Sequence, residues 1–533
     1  MSVYVIAYDV GTTGIKTCIF EIGDSIRLVA SDVENYKLYI EENGGAEQDL
    51  EEMWSAMCKA TNKVLHASGI TKEKLKGISF CSQMQGLVLV DREGKPVRRS
   101  MSYMDQRANH EMKDGIACGI KVAGVNVGKL VKSIYLTGAV AASVKDPVWK
   151  YNWVKKHEPE TYKRIYKWLD VKEFLILKCT GQFIMTKDSA FGTMLYDIRK
   201  GKNCFNSKMC QMLGVDISHM PTLVNCQDQV GTLTKEAALV LGLAEKTPVF
   251  GGGGDASLIG IGAGAAAVGS THIYSGTSGW VSTVVKKRKI DLSSMIASIV
   301  GANDKTYNYF AELETASKCV EWVKDHLALD EINIYLQKIC ISDSIETIYE
   351  NLYDFMLDEI RNVPAGSHGV IFTPWLHGNR CPFEDPNARG MFFNISLDNG
   401  KRDLIHAVIE GICYHLRWQL EAQQKKVRTS EIIRFVGGGA MAPLTCQTIS
   451  DILGCEIETV ESPQNTGALG AAVVVAVGLG LLDNIEDANK LIKANQVYYP
   501  NPDTREIHDR NFKAFKMLYT KNKKTFLLLN KQK

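Results

Sequence analysis

Apolar and polar residues alternate in short runs near the start of the chain. Residues 3–9, VYVIAYD, read as a strand, GTTG as a turn and IKTCIFE as a second strand, which predicts a β-hairpin. The pattern returns at 271–284, THIYSGTSGWVSTV: strand, GTSG, strand. GTTGIKT and GTSGWVS align without a gap although they lie far apart, which points to two domains of similar build. Between and after the hairpins the period lengthens. EQDLEEMWSAMCKATNKVLHAS (47–68) puts Leu50, Met53, Met57 and Val64 on roughly one helical face. Residues 151–181, 333–360 and 400–424 also read as helical. Strand-like runs at 75–83 (LKGISFCSQ) and 431–439 (EIIRFVGGG) are expected to lead into helices, so the fold class is α/β. The most apolar run, TGALGAAVVVAVGLGLL (466–482), is short for a membrane span and rich in Gly and Ala. It predicts a small-residue helix packed inside a domain.

Composition narrows the classes without naming one. A chain of 533 residues is enough for two large domains or three ordinary ones. A net charge of +2 supplies no strong field for nucleic acid or an anionic membrane. The 14 cysteines are scattered and form no CxxC pair, as expected of reduced thiols in the cytoplasm. MSVYVIAYDVGTTG has no basic leader and reads as the first strand of the fold.

Candidate chemistry lies in three glycine-rich turns: DVGTTGIK (9–16), SGTSG (275–279) and VGGGAMAP (436–443). Such turns expose backbone N–H groups and hydroxyls that form concave anion sites, with phosphate the usual guest. None has P-loop spacing, and no GxGxxG follows the first strand. A hairpin needs Gly in any case, so each turn alone is equally a structural device. Two acids add to the signal. Asp9 ends a strand before the first turn, and Asp255 ends the run GGGG in GGGGDASLIGIGAG (251–264). A carboxylate beside phosphate is useful when a cation intervenes or a proton must be accepted, and phosphoryl transfer needs both. The alternative for each Asp is a turn or helix-capping acid.

DVGTTGIK, GGGGDA, SGTSG and GGGAMAP, in that order, resemble the FGGY family of carbohydrate kinases. DPVWKYNWVKKH (146–157) resembles the family's first signature through Pro147, Lys150 and Trp153. GMFFNISLDNGKRDLIHAVIEG (390–411) resembles the second, departing at Asn394 where Gly is usual. SQMQGLVLVDREGKPV, SYMDQRA and FTPWLHGNRCPFEDPNARG are xylulokinase-like. The resemblance implies two similar actin-like (ribonuclease H-like) ATPase domains, 1–260 and 261–533, with a central cleft. It implies ATP and Mg²⁺, a small sugar substrate, no nucleic-acid or membrane partner, a cytoplasmic site and an optional homodimer. Asp9, Gly11, Thr12, Thr13 and Lys16 fall on the first phosphate loop, with Asp9 holding Mg²⁺ through water. Gly276, Thr277 and Ser278 fall on the second, Gly438, Gly439 and Ala440 on the adenosine loop, and Ser317 and Glu321 where the nucleotide is contacted. Asp255 matches the catalytic base and a second metal-side carboxylate. Its glycines are expected to admit sugar and γ-phosphate. Gln83, Met84, Gln85, Tyr103, Asp105 and Ala256 fall on the sugar side. Gln85, Met104 and Ala256 differ from the usual xylulokinase residues, which leaves another ketose or a polyol (ribulose, fuculose, erythritol, glycerol) as an alternative acceptor. A non-catalytic actin-like ATPase or sugar-binding regulator is the alternative from another class.

Overall fold

The computed structural model describes residues 2–122, 124–291, 293–327 and 352–531. They form two compact units interleaved along the chain: 1–262 with 299–306 and 465–492, and 263–298 with 307–464 and 493–533.

The central sheet of the first unit runs Gln229–Thr232, Pro248–Phe250, Leu75–Ser82, Val3–Val10, Gly14–Ile22, Ile26–Asn35. In the second unit the matching order is Ala494–Tyr498, Ile457–Val460, Ile433–Val436, Thr271–Ser275, Gly279–Val285, Tyr307–Leu313. The pairing senses agree strand for strand: antiparallel, two parallel, then two antiparallel. The likeness first visible in GTTG and GTSG therefore extends across both sheets. One swap distinguishes them, since 229–232 precedes its neighbour in the chain and 494–498 follows its own. Val5, Ile6, Ala7 and Tyr8 are all fully buried, as expected where a strand has both faces covered.

Helix Leu50–Ser68 begins at Asp49, whose side chain accepts from the N–H groups of Glu51 and Glu52, and ends at Gly69 with φ 63°. Its four predicted apolar positions are all buried. The apolar run near the C-terminus forms helix Thr466–Gly478, buried within the first unit. A Cβ on Gly262 would lie 1.9 Å from the carbonyl oxygen of Thr466, and one on Gly470 would lie 2.1 Å from that of Leu258. Only glycine lets helices Asp255–Gly262 and Thr466–Gly478 approach this closely. Among the described residues no helix is long and apolar enough to cross a membrane.

Three expectations change. The stretch 151–181 is not one helix but Pro147–His157, Pro159–Lys163, strand Lys167–Leu169 and Val171–Thr180. Pro159 opens a new helix because it has no N–H to give to the preceding turn. Asp170 opens the last by accepting from the N–H of Val171 at 2.8 Å. The strand at 75–82 leads into the strands Val88–Val90 and Ser100–Met101, with no helix before Asn109–Ile116. Of the predicted helix 333–360, Leu352–Glu359 is helical and 333–351 lies outside the described residues.

Candidate active site

In the first hairpin Val10 pairs with Ile15 and Asp9 with Lys16. The N–H of Gly11 donates to the carbonyl of Gly14 at 2.9 Å, leaving Thr12 and Thr13 at the tip. Across the sheet Asp9 is level with Cys81, and Cys81 with Gly253 on the short strand Gly253–Gly254. Asp255 follows as the first residue of helix Asp255–Gly262, with its Oδ1 accepting from the N–H of Ala256 at 2.7 Å. Burial, then the charges of Asp9, Asp255 and Asp188, push the Cys81 thiol well above its usual range. Of these three, Asp9 also hydrogen-bonds the thiol. Burial also raises Asp9, opposed by the Lys16 ammonium and by the Cys81 thiol. Gly467 gives Asp9 its room: a Cβ there would lie 2.6 Å from Asp9 Oδ2. The carboxylate therefore rests on the first turn of helix Thr466–Gly478, where the helix dipole favours an anion.

The residues assigned to the sugar side join this cluster through Gln48, which sequence reasoning missed. Gln83 Nε2 donates to Gln48 Oε1 at 3.1 Å, and Gln48 Nε2 to the Thr12 carbonyl at 2.6 Å. The Thr12 hydroxyl meets that of Tyr103 at 3.3 Å. Gln83 Oε1 is buried with no hydrogen-bond partner among the described residues. Gln85 adopts φ 63°, unusual for a residue with a side chain. The fully buried Lys150 donates to the carbonyls of Gln85 (2.9 Å) and Ser102 (2.6 Å), tying the two segments together. Burial lowers its pKa to about 8, although Asp105, Asp170 and Asp146 oppose the shift. Asp105, also fully buried, binds Arg107 and the N–H of Ala46. It therefore anchors its loop. Ala256 is half-buried beside Asp255.

Beside the tetraglycine run, the space into which side chains would project is taken up by the chain itself. A Cβ on Gly251 would lie 2.8 Å from the Asn225 carbonyl, and on Gly252, at φ 67°, 2.2 Å from that of Phe80. On Gly253 it would lie 2.9 Å from Asp188 Oδ2, and on Gly254 2.2 Å from Met84 Sδ. The chain's own backbone and side chains fill the space that side chains would need.

In the second unit Ser275 pairs with Gly279 and Tyr274 with Trp280, their rings stacked at 4.1 Å. The N–H of Gly276 donates to the carbonyl of Ser278 at 2.9 Å, leaving Thr277 at the tip. Ser317 begins helix Ser317–His326. Its N–H donates to the Gly276 carbonyl at 2.8 Å, and its hydroxyl meets that of Ser275 at 3.1 Å. Gly437, at φ 95°, and Gly439 both face Ser275 so closely that a Cβ would clash. A Cβ on Gly438 would meet nothing within 4 Å. The 276–278 turn, Ser317 and the 438–440 turn are thus gathered in one place. Glu321 lies one helical turn further on, paired with Lys318 at 2.7 Å.

Residues 4–262 match the model described as the FGGY family of carbohydrate kinases, N-terminal domain, and 272–479 the C-terminal domain of that family. The chain is 27% identical over 522 residues to a xylulose kinase of Bacillus subtilis, covering 98% of this chain and 97% of that one. It is 29% identical over 528 residues to a xylulose kinase of Staphylococcus epidermidis, covering 97% of each. It is 24% identical to a gluconokinase of Bacillus subtilis, covering 95% and 93%. Among solved structures, a ligand-bound xylulose kinase from Lactobacillus acidophilus superposes with a TM-score of 0.83 at 24% identity, covering 98% and 99%. At that identity the likeness speaks for the fold alone.

Proposed function

The chain belongs to the FGGY family of carbohydrate kinases, so it is a sugar kinase; we propose that it transfers the γ-phosphate of MgATP to a hydroxyl of xylulose or a related pentulose. The observation that supports this reading most is the strand register. It sets Asp9 and Gly253 level with Cys81 on the two strands that flank it, and Asp255 follows two residues after Gly253. Asp255 accepts the proton of the attacking hydroxyl. Asp9 faces the metal side, and Thr12 and Lys16 the phosphates. Gly276, Thr277, Ser278 and Ser317 take nucleotide phosphate, and Gly438, Gly439 and Ala440 the adenosine. Gln83, Gln85 and Tyr103 contact the sugar, with Met84, Asp105 and Ala256 shaping its pocket.

Two hard carboxylates suit Mg²⁺, an ion bound mostly by water and substrate phosphate. No group of three or more His, Cys, Asp or Glu able to hold a metal gathers among the described residues. When bound, the ion neutralises phosphate charge. We place the reaction in the cytoplasm. A screen with MgATP against pentuloses, hexuloses, gluconate and small polyols identifies the acceptor, and xylulose ranks first on this reading. Asp255→Asn lowers kcat by about 10²–10⁴-fold, the range for a positioned general base, while the Kd for ATP by calorimetry stays near wild type. An Asn variant at wild-type kcat removes the base assignment.

A further inference from the structure

We infer that Lys172, Thr186 and Asp188 form a clamp that fixes the tetraglycine turn and so aims the Asp255 carboxylate at the acceptor hydroxyl; the inference rests on the reading of Asp255 as the base. A run of four glycines is the most freely rotating backbone a chain can have, and the base hangs from its end. A base displaced by about 1 Å loses on the order of 10²-fold in rate. Strand pairing of Gly253 and Gly254 with Cys81 and Ser82 holds one edge of this run, and buried polar groups hold both of its ends. Lys172 Nζ donates to the Gly251 carbonyl at 3.1 Å. Asp188 Oδ2 accepts from the N–H of Gly254, the residue before Asp255, at 2.7 Å.

The Thr186 hydroxyl joins the two holders. It accepts from Lys172 Nζ at 2.9 Å and donates to Asp188 Oδ1 at 2.6 Å. Glu173 takes the third ammonium hydrogen of Lys172 and so neutralises it, and the Cys226 thiol lies 3.4 Å from Asp188 Oδ1. Lys172 is 1% exposed, and Glu173, Thr186 and Asp188 are 0% exposed, so water cannot replace a missing link. Burial lowers the Lys172 pKa, but the attraction of Glu173 and Asp188 outweighs it and the net shift is upward. All three ammonium hydrogens of Lys172 are used, which fixes the orientation of its head group. The middle of the turn is held separately, by Gly252 N–H to the Cys226 carbonyl at 2.9 Å. Lys172, Thr186 and Asp188 touch no reacting atom and are positioning residues.

The test is Thr186→Val, which keeps the volume and removes the hydroxyl, beside Thr186→Ser, which keeps the hydroxyl. Steady-state kinetics with MgATP and xylulose, or the best acceptor from the screen, are measured on folded protein. The Val variant should lose about 10–100-fold in kcat, with KM for both substrates within about threefold of wild type. The Ser variant should stay within about threefold. If Thr186→Val does not fold, Asp188→Asn is read in the same way. A kcat at wild-type level in the Val or Asn variant, a loss confined to KM, or an equal loss in Val and Ser variants overturns the clamp. Asp255→Asn is run in parallel. If it alone loses activity, the clamp falls and the base stands; if it keeps activity, the base reading falls first.

Discussion

The hairpins of the two units turn on nearly the same residues, 11–14 and 276–279, and carry different chemistry. In the first, Gly11 bonds Gly14 and two threonines make the tip. In the second, Gly276 bonds Ser278 and one threonine does. That is a slip of one residue in strand register. Because side chains alternate across a strand, such a slip changes which side chains stand opposite one another. The residues beside the turn follow suit: Asp9 faces Lys16 in one, while Tyr274 stacks on Trp280 in the other. The two units thus share a frame while their turns differ, one carrying charge and the other an aromatic wall behind a bare backbone loop.

The sharpest way to break this contrast is to alter equivalent positions of the two hairpins and compare the losses. Asp9→Asn should cost about 10²–10³-fold in kcat, as removal of a charge-stabilising group does, whereas Tyr274→Phe, which keeps the stack on Trp280, should stay within about threefold. Equal losses would mean that the two turns do the same work. Acid provides a second probe. Burial lowers His272, which sits behind the second hairpin, to about 4, and it accepts from Trp280 Nε1 at 3.1 Å. Its contribution to stability is therefore present above about pH 6.5 and is lost as pH falls toward 4, by about 3 kcal/mol at most. The contribution of Asp9 has the opposite sign, because a raised carboxyl stabilises below its ordinary pKa and loses this as pH rises. Melting curves from pH 7 to 4 should show a shallower fall for His272→Gln than for wild type. The smallest effect separates the glycines. A Cβ on Gly276 would lie 2.1 Å from the Tyr274 hydroxyl, but on Gly11 it would lie 3.3 Å from the Gly14 carbonyl. Gly276→Ala should cost about 1–3 kcal/mol by overpacking, and Gly11→Ala less, both read as shifts in Tm.

Both hairpins, helix Leu50–Ser68 and the buried helix at 466–478 were legible because local rules decide them: Gly and Thr at turns, an apolar stripe every three or four residues, small residues packed throughout. The break of 151–181 into four elements was less so. Within it Lys172 and Glu173 are buried, which a helical pattern alone does not foretell. Lys172 reaches the Gly251 carbonyl far along the chain, as Asp188 reaches Gly254, and no local pattern announces such pairs. The tetraglycine run stood out in the sequence, but a string of glycines does not say which atoms crowd it. Gln48 carries no motif at all.

Helix Thr466–Gly478 belongs to the unit whose main body ends at Gly262, and about 200 residues of the other unit are synthesised between them. A ribosome adding ~5–20 residues per second needs roughly 10–40 s to cover that stretch. Throughout that interval the nascent first unit lacks the helix that supports Asp9 and lies against the strand that carries it, so an apolar surface stays open until residues 466–478 are made. A chain cut before Thr466 should therefore leave this face of the first unit uncovered, which dye binding to exposed apolar surface would detect.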